Sequence, residues 1–125
     1  MNSLHMLWVG LGGGLGAIVR YGVGVLFQTT SEEIKFPWST LTVNLIGCFI
    51  IGVVWQYLSK NANVNAFWLI GVLGGFTTFS SFGLDGLKLF NAGAFTQLTT
   101  YVLISNIVGL LLVFIGTKVA DLTLT

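Results

Sequence analysis

Apolar and polar positions divide this chain into four long apolar runs, at about 4–27, 38–58, 66–90 and 95–119, joined by short polar stretches. Crossing the ~30 Å hydrocarbon core as a helix takes about 20 apolar residues, so each run is long enough to span a membrane. The runs are continuously apolar and do not alternate with period two, which predicts membrane helices and not the strands of a barrel. The connection at 28–37 is polar and holds Glu32, Glu33, Lys35 and the only proline, Pro37. The connection at 59–65 is short and polar, and the one at 91–94 is tight and contains a glycine. The expected fold is all-α: one four-helix transmembrane domain over 1–125, with a break in the third helix.

Composition agrees with this reading. The chain is 54% hydrophobic and 7% charged, with mean hydropathy +0.91. Soluble domains carry about 25% charged residues, so the surface of one is missing. The first run has no basic residue ahead of it and carries Arg20 near its far end, and is expected to be a retained helix, not a cleaved signal. Cys48 is the only cysteine, a small packing residue with no partner for an intramolecular disulfide. Net charge is +1 without a basic cluster, which argues against nucleic acid as a partner and leaves lipid as the surroundings. With four crossings, Lys60 and Lys118 fall on the side of the termini, and Lys35 and Lys88 on the other, with Arg20 inside the first helix toward that other side. Orientation follows an excess of Lys and Arg on cytoplasmic loops. The near-even balance predicts insertion both ways, and four helices are few to enclose a pathway, so an antiparallel homodimer is expected.

The first run is rich in glycine, with small-xxx-small pairs at Gly10/Gly14 and Gly12/Gly16 that let helix backbones approach closely. It also matches G-x-G-x-x-A at Gly12, Gly14 and Ala17, with Glu32 downstream. A dinucleotide site would need a preceding strand and a soluble βαβ unit, neither of which fits. Trp38, Trp55, Tyr57 and Trp68 fall near helix ends and suit the headgroup zone.

Chemistry concentrates in the third run, at Gly74-Gly75-Phe76-Thr77-Thr78-Phe79-Ser80-Ser81-Phe82. Broken helices survive at membrane depth only around protein-lined cavities or bound ions. Phe79 and Phe82 share a helix face amid hydroxyls, and an aromatic edge is positive. Ring edges beside hydroxyl donors can solvate a small anion without a fixed charge that would trap it. A break over 74–77 frees carbonyls, to be satisfied either by a buried Na⁺ or by water and hydroxyls repairing a kink. Arg20 either faces a wet cavity or snorkels to the nearby interface. Asn44 needs partners on another helix or along a pathway, and Thr40 and Gly47 share its face. Tyr101, Ser105 and Gly109 recur every four residues beside Asn106, as a donor track or as helix–helix glue. Asp85 is expected to pair with Lys88 at i+3, which leaves a role at a pore mouth open. His5 stands alone, and no His, Cys or carboxylate cluster supports an enzyme.

At three places the chain resembles the Fluc (CrcB) family of fluoride channels: Gly13 to Tyr21, Thr40 to Gly47, and Gly74 to Phe82. The likeness covers all four helices, and the third motif is the most specific. Ser81 departs from a pattern that often has Thr, and Asp85 stands where Glu is usual. The resemblance implies a passive, fluoride-selective channel that lowers cytoplasmic F⁻ in a bacterial-type inner membrane. It further implies an antiparallel dual-topology homodimer with two pathways, each drawing on both copies. Phe79 and Phe82 are then the anion-facing rings, with Asn44, Ser80, Ser81, Tyr101 and Ser105 along the polar track and Arg20 in a vestibule. Carbonyls of Gly74 and Thr77 from both copies would hold one structural Na⁺. Two rivals remain. A proton-coupled small multidrug transporter needs a carboxylate within the first helix, where this chain has only Arg20. A structural membrane subunit predicts no ion flux.

Overall fold

The computed structural model describes residues 3–28, 36–58 and 61–124, with no strand among the described residues. Among the described residues, four segments are long and apolar enough to cross a membrane: Ser3–Leu26, Trp38–Leu58, Ala62–Asn91 and Phe95–Thr123. Glu32, Glu33, Lys35 and Lys60 lie outside the described residues, and with them half of the lysine balance considered above.

The third segment begins earlier than the apolar pattern predicts, at Ala62 instead of about 66, because Asn61 caps it. Its side-chain oxygen accepts from the amides of Asn63 and Val64 at 3.1 and 3.2 Å, satisfying donors that a helix start leaves free. The fourth segment continues past 119 to Leu124. Its last turn is tied to the end of the second segment, where Gln56 donates to Asp121 at 2.6 Å and Tyr57 bonds Thr123. Between the third and fourth segments, Gly93 adopts φ +69°. The Gly93 amide donates to Phe90 at 3.0 Å and the Ala94 amide to Leu89 at 2.9 Å. This is a Schellman stop, with Leu89 and Ala94 packed in one apolar cluster.

Lipid supplies no hydrophobic drive between helices, so association rests on close backbone packing. Segments one and three run parallel and meet through glycine. A Cβ on Gly12 would strike the Phe67 carbonyl, one on Gly16 the Val72 carbonyl, and one on Gly75 the Gly13 carbonyl. Segments two and four run parallel in the same way, with Gly52 against Val113 and Gly116 against Phe49. Of the two glycine pairs in the first segment, Gly12/Gly16 therefore carries the packing. Gly10 and Gly14 face open space. The largest fully buried side chains are Tyr101, Leu89 and Val43, while most large apolar side chains face outward, as a lipid solvent allows.

Candidate functional site

Helical backbone in the third segment stops at Thr77 and Thr78, both extended, with φ/ψ of −82°/157° and −152°/118°. The paired glycines are not the interruption: Gly74–Phe76 stays helical, and the Thr77 amide still reaches the Leu73 carbonyl at 3.0 Å. The break expected over 74–77 thus lies at 77–78, and Gly75 serves instead the close approach to Gly13.

What holds the chain open is Asn44. The Thr78 amide donates to Asn44 Oδ1 at 2.8 Å, and Asn44 Nδ2 donates to the Thr78 carbonyl at 3.0 Å. One side-chain amide therefore satisfies both backbone groups of an extended residue, as a neighbouring strand would. The Thr78 hydroxyl then starts the next half-helix, Phe79–Asn91, accepting from the Ser81 amide at 3.2 Å and donating to Ser81 Oγ at 3.0 Å. Gly47 makes room for this geometry, since a Cβ there would strike the Thr77 methyl. Thr40, Asn44 and Gly47 do share a face, but each serves a different part of the third segment.

Arg20 does not run out toward Gln28. Its Nε donates to the Gly75 carbonyl at 3.1 Å, a charge-assisted bond at the end of the first half-helix. Two other carbonyls lose their helical donors. The Thr78 amide that would close on Gly74 goes to Asn44, and the Ser81 amide that would close on Thr77 goes to the Thr78 hydroxyl. No group of three or more His, Cys, Asp or Glu that could hold a metal occurs among the described residues. Backbone carbonyls and hydroxyls are then the oxygen donors on offer to a hard cation.

A cavity of about 340 Å³ opens beside the break. It gathers Asn44, Gly74, Thr77, Phe79, Phe82 and Ser105 from the expected site, and adds Thr78 and Asn106; among the described residues no charged one lines it. The rings of Phe79 and Phe82 lie 5.5 Å apart, tilted by 34°, and Phe82 leans on Tyr101 at 5.1 Å. Four expected residues stand elsewhere. Arg20 is behind the break, Ser80 is exposed, and Ser81 is engaged with Thr78. Tyr101 is wholly buried under Phe82 and Phe36. Its hydroxyl lies beside Thr40 and Asp85, yet it and Ser105 Oγ have no hydrogen-bond partner among the described residues. Asp85 makes more than an i+3 pair. Lys88 lies 3.9 Å away, while Thr40 Oγ1 donates to its other oxygen at 2.6 Å across the segment interface. The sequence does not show the Thr40–Asp85 bond or the Thr78 clamp; a carboxylate in an apolar segment with only one neighbouring cation was the available signal for the first.

The family described as CrcB-like protein, Camphor Resistance (CrcB), matches residues 7–117. A Helicobacter acinonychis protein named fluoride-specific ion channel FluC is 45% identical over 118 residues, covering 91% of this chain and 93% of the relative. A Helicobacter pylori protein of the same name is 44% identical, with 91% of each covered. One from Salinibacter ruber is 43% identical, covering 90% of this chain and 86% of the relative.

Proposed function

The chain belongs to the CrcB-like family, and from that premise we propose that fluoride crosses along the cavity at its broken third segment, between two antiparallel copies. It is a fluoride-specific ion channel and not an enzyme, a multi-pass integral protein of the bacterial plasma membrane. The observation that carries the pathway is the cavity itself: phenylalanine rings and hydroxyl and amide donors converge where, among the described residues, no fixed charge lines the wall. Ring edges and neutral donors strip the hydration shell and replace it with contacts weak enough to release the ion. Asn44 keeps the backbone open so that Phe79 and Phe82 follow a fresh helix start and present their rings on one side.

The exposure of Phe79, 82% in a single chain, supports a second copy as the other wall. The near-even lysine balance supports that copy being inverted, giving two pathways related by a two-fold axis. Gly74 and Thr77 fit a central Na⁺ on that axis: their carbonyls have lost helical donors, and Gly74 is exposed. When bound, Na⁺ supplies positive charge to those oxygens and pins the two copies together. Arg20 already serves the Gly75 carbonyl and adds positive potential behind the break. Ser105 continues the track on the cavity wall, with Tyr101 backing Phe82 and with Ser80 and Ser81 beside Thr78 at the helix start.

The test is efflux from liposomes carrying the purified protein, with F⁻ and Cl⁻ compared in the presence and absence of Na⁺. Fluoride flux well above chloride is expected, and equal flux would overturn the reading. Tags on the termini, read from both sides of the membrane, should report both orientations; a single orientation removes the antiparallel pair.

A further inference from the structure

We propose that the Asn106 side chain is a second donor to fluoride in the pathway, acting beside Ser105; this rests on the channel reading above. Asn106 follows Phe95 by eleven positions, about 16 Å along a helix and so near the middle of the core. It is exposed there, where an amide turned to lipid is costly. Its own helix takes only one of its bonding groups: Nδ2 donates to the Val102 carbonyl at 2.8 Å. That bond sets the nitrogen end of the amide and leaves its second N–H as a donor without a partner among the described residues.

Local backbone supports a ligand-facing role. The fourth segment winds as a π-helix over Ile104–Val108, a wider turn found mostly as single turns at functional sites. Within this turn the consecutive residues Ser105 and Asn106 both line the cavity that holds Phe79 and Phe82. The Ser105 hydroxyl is buried there without a partner among the described residues. Two neutral donors, one O–H and one N–H, thus stand beside the ring pair, and what they lack is an acceptor. A small anion is an acceptor only, and suits both.

The full chain, reconstituted in liposomes, tests this with Asn106→Leu, Asn106→Ser and Asn106→Asp. Asn106→Leu should slow F⁻ efflux about tenfold, the scale of losing a hydrogen bond to a charged group, and should raise the F⁻ concentration for half-maximal current. Asn106→Ser, which keeps a donor, should recover part of both. Wild-type efflux in Asn106→Leu overturns the proposal, as does weaker pairing of copies with unchanged flux per assembled pair. Should Asn106→Leu fail to assemble, the isosteric Asn106→Asp decides: efflux must fall at least as far, and wild-type efflux overturns the assignment. Phe82→Ile run alongside separates two failures. Unchanged flux in both variants overturns the pathway, whereas unchanged flux in Asn106→Leu alone overturns only the role of Asn106.

Discussion

Asn44→Ala removes both hydrogen bonds that hold Thr78 extended, at 2.8 and 3.0 Å, and leaves one donor and one acceptor without partners near mid-membrane. An orphaned buried group costs about 1–3 kcal/mol, which gives roughly 2–6 kcal/mol for the pair. Two effects reduce this. The groups adjoin a cavity of about 340 Å³ that can admit water, and interhelical bonds in lipid average only about 0.6 kcal/mol each by double-mutant cycles. A loss of about 2 kcal/mol is therefore expected. Structurally, the freed Thr78 amide can return to the Gly74 carbonyl and continue the helix, which turns Phe79 and Phe82 away from the cavity wall. Denaturant unfolding in detergent measures the first effect and liposome F⁻ efflux the second, with flux expected to fall by more than tenfold, since about 1.4 kcal/mol corresponds to a factor of ten. Asn44→Asp keeps the acceptor for the Thr78 amide but sets a carboxylate against its carbonyl, and should do no better. Stability within about 0.5 kcal/mol of wild type, together with wild-type flux, in Asn44→Ala would refute the clamp.

Further predictions concern packing, rings and the break. Gly16→Ala drives a methyl into the Val72 carbonyl and should cost about 1–3 kcal/mol in unfolding, whereas Gly14→Ala meets open space in the single chain and should leave the fold of each copy intact. Phe79→Ile and Phe82→Ile should sharply cut F⁻ efflux while cross-linking still detects paired copies; wild-type rates in both would remove the rings from the pathway. Arg20→Met leaves the Gly75 carbonyl without its donor and should lower both unfolding stability and flux, with Arg20→Lys recovering part of each because a point charge replaces the directed Nε bond. Replacing Na⁺ by a large organic cation should weaken pairing and flux together if Gly74 and Thr77 hold the ion, and unchanged behaviour would count against that site.

Much of the fold was legible along the chain, because the bilayer sets a length scale that apolar runs must meet. The four segments, the tight turn at Gly93 and the polarity of the third run follow from residue types alone. Element ends were less so: Asn61 lengthens the third segment through a side-chain cap, and the Gln56–Asp121 contact steadies the fourth, both of which depend on geometry. The candidate site divides in the same manner. That the third run breaks, with rings beside hydroxyls, could be read from the order of its residues, since lipid tolerates freed backbone only where something satisfies it; that the break falls at Thr77–Thr78 and not over 74–77 could not. Nor could the residue that satisfies it. Asn44 lies 34 positions away from Thr78, Arg20 lies 55 from Gly75, and Thr40 lies 45 from Asp85. The sequence by itself determined that polar groups were needed at mid-membrane and which types were present. Only the tertiary structure decided their pairing, because parallel helices packed backbone to backbone through glycine set which distant side chain comes within hydrogen-bond distance of which polar group.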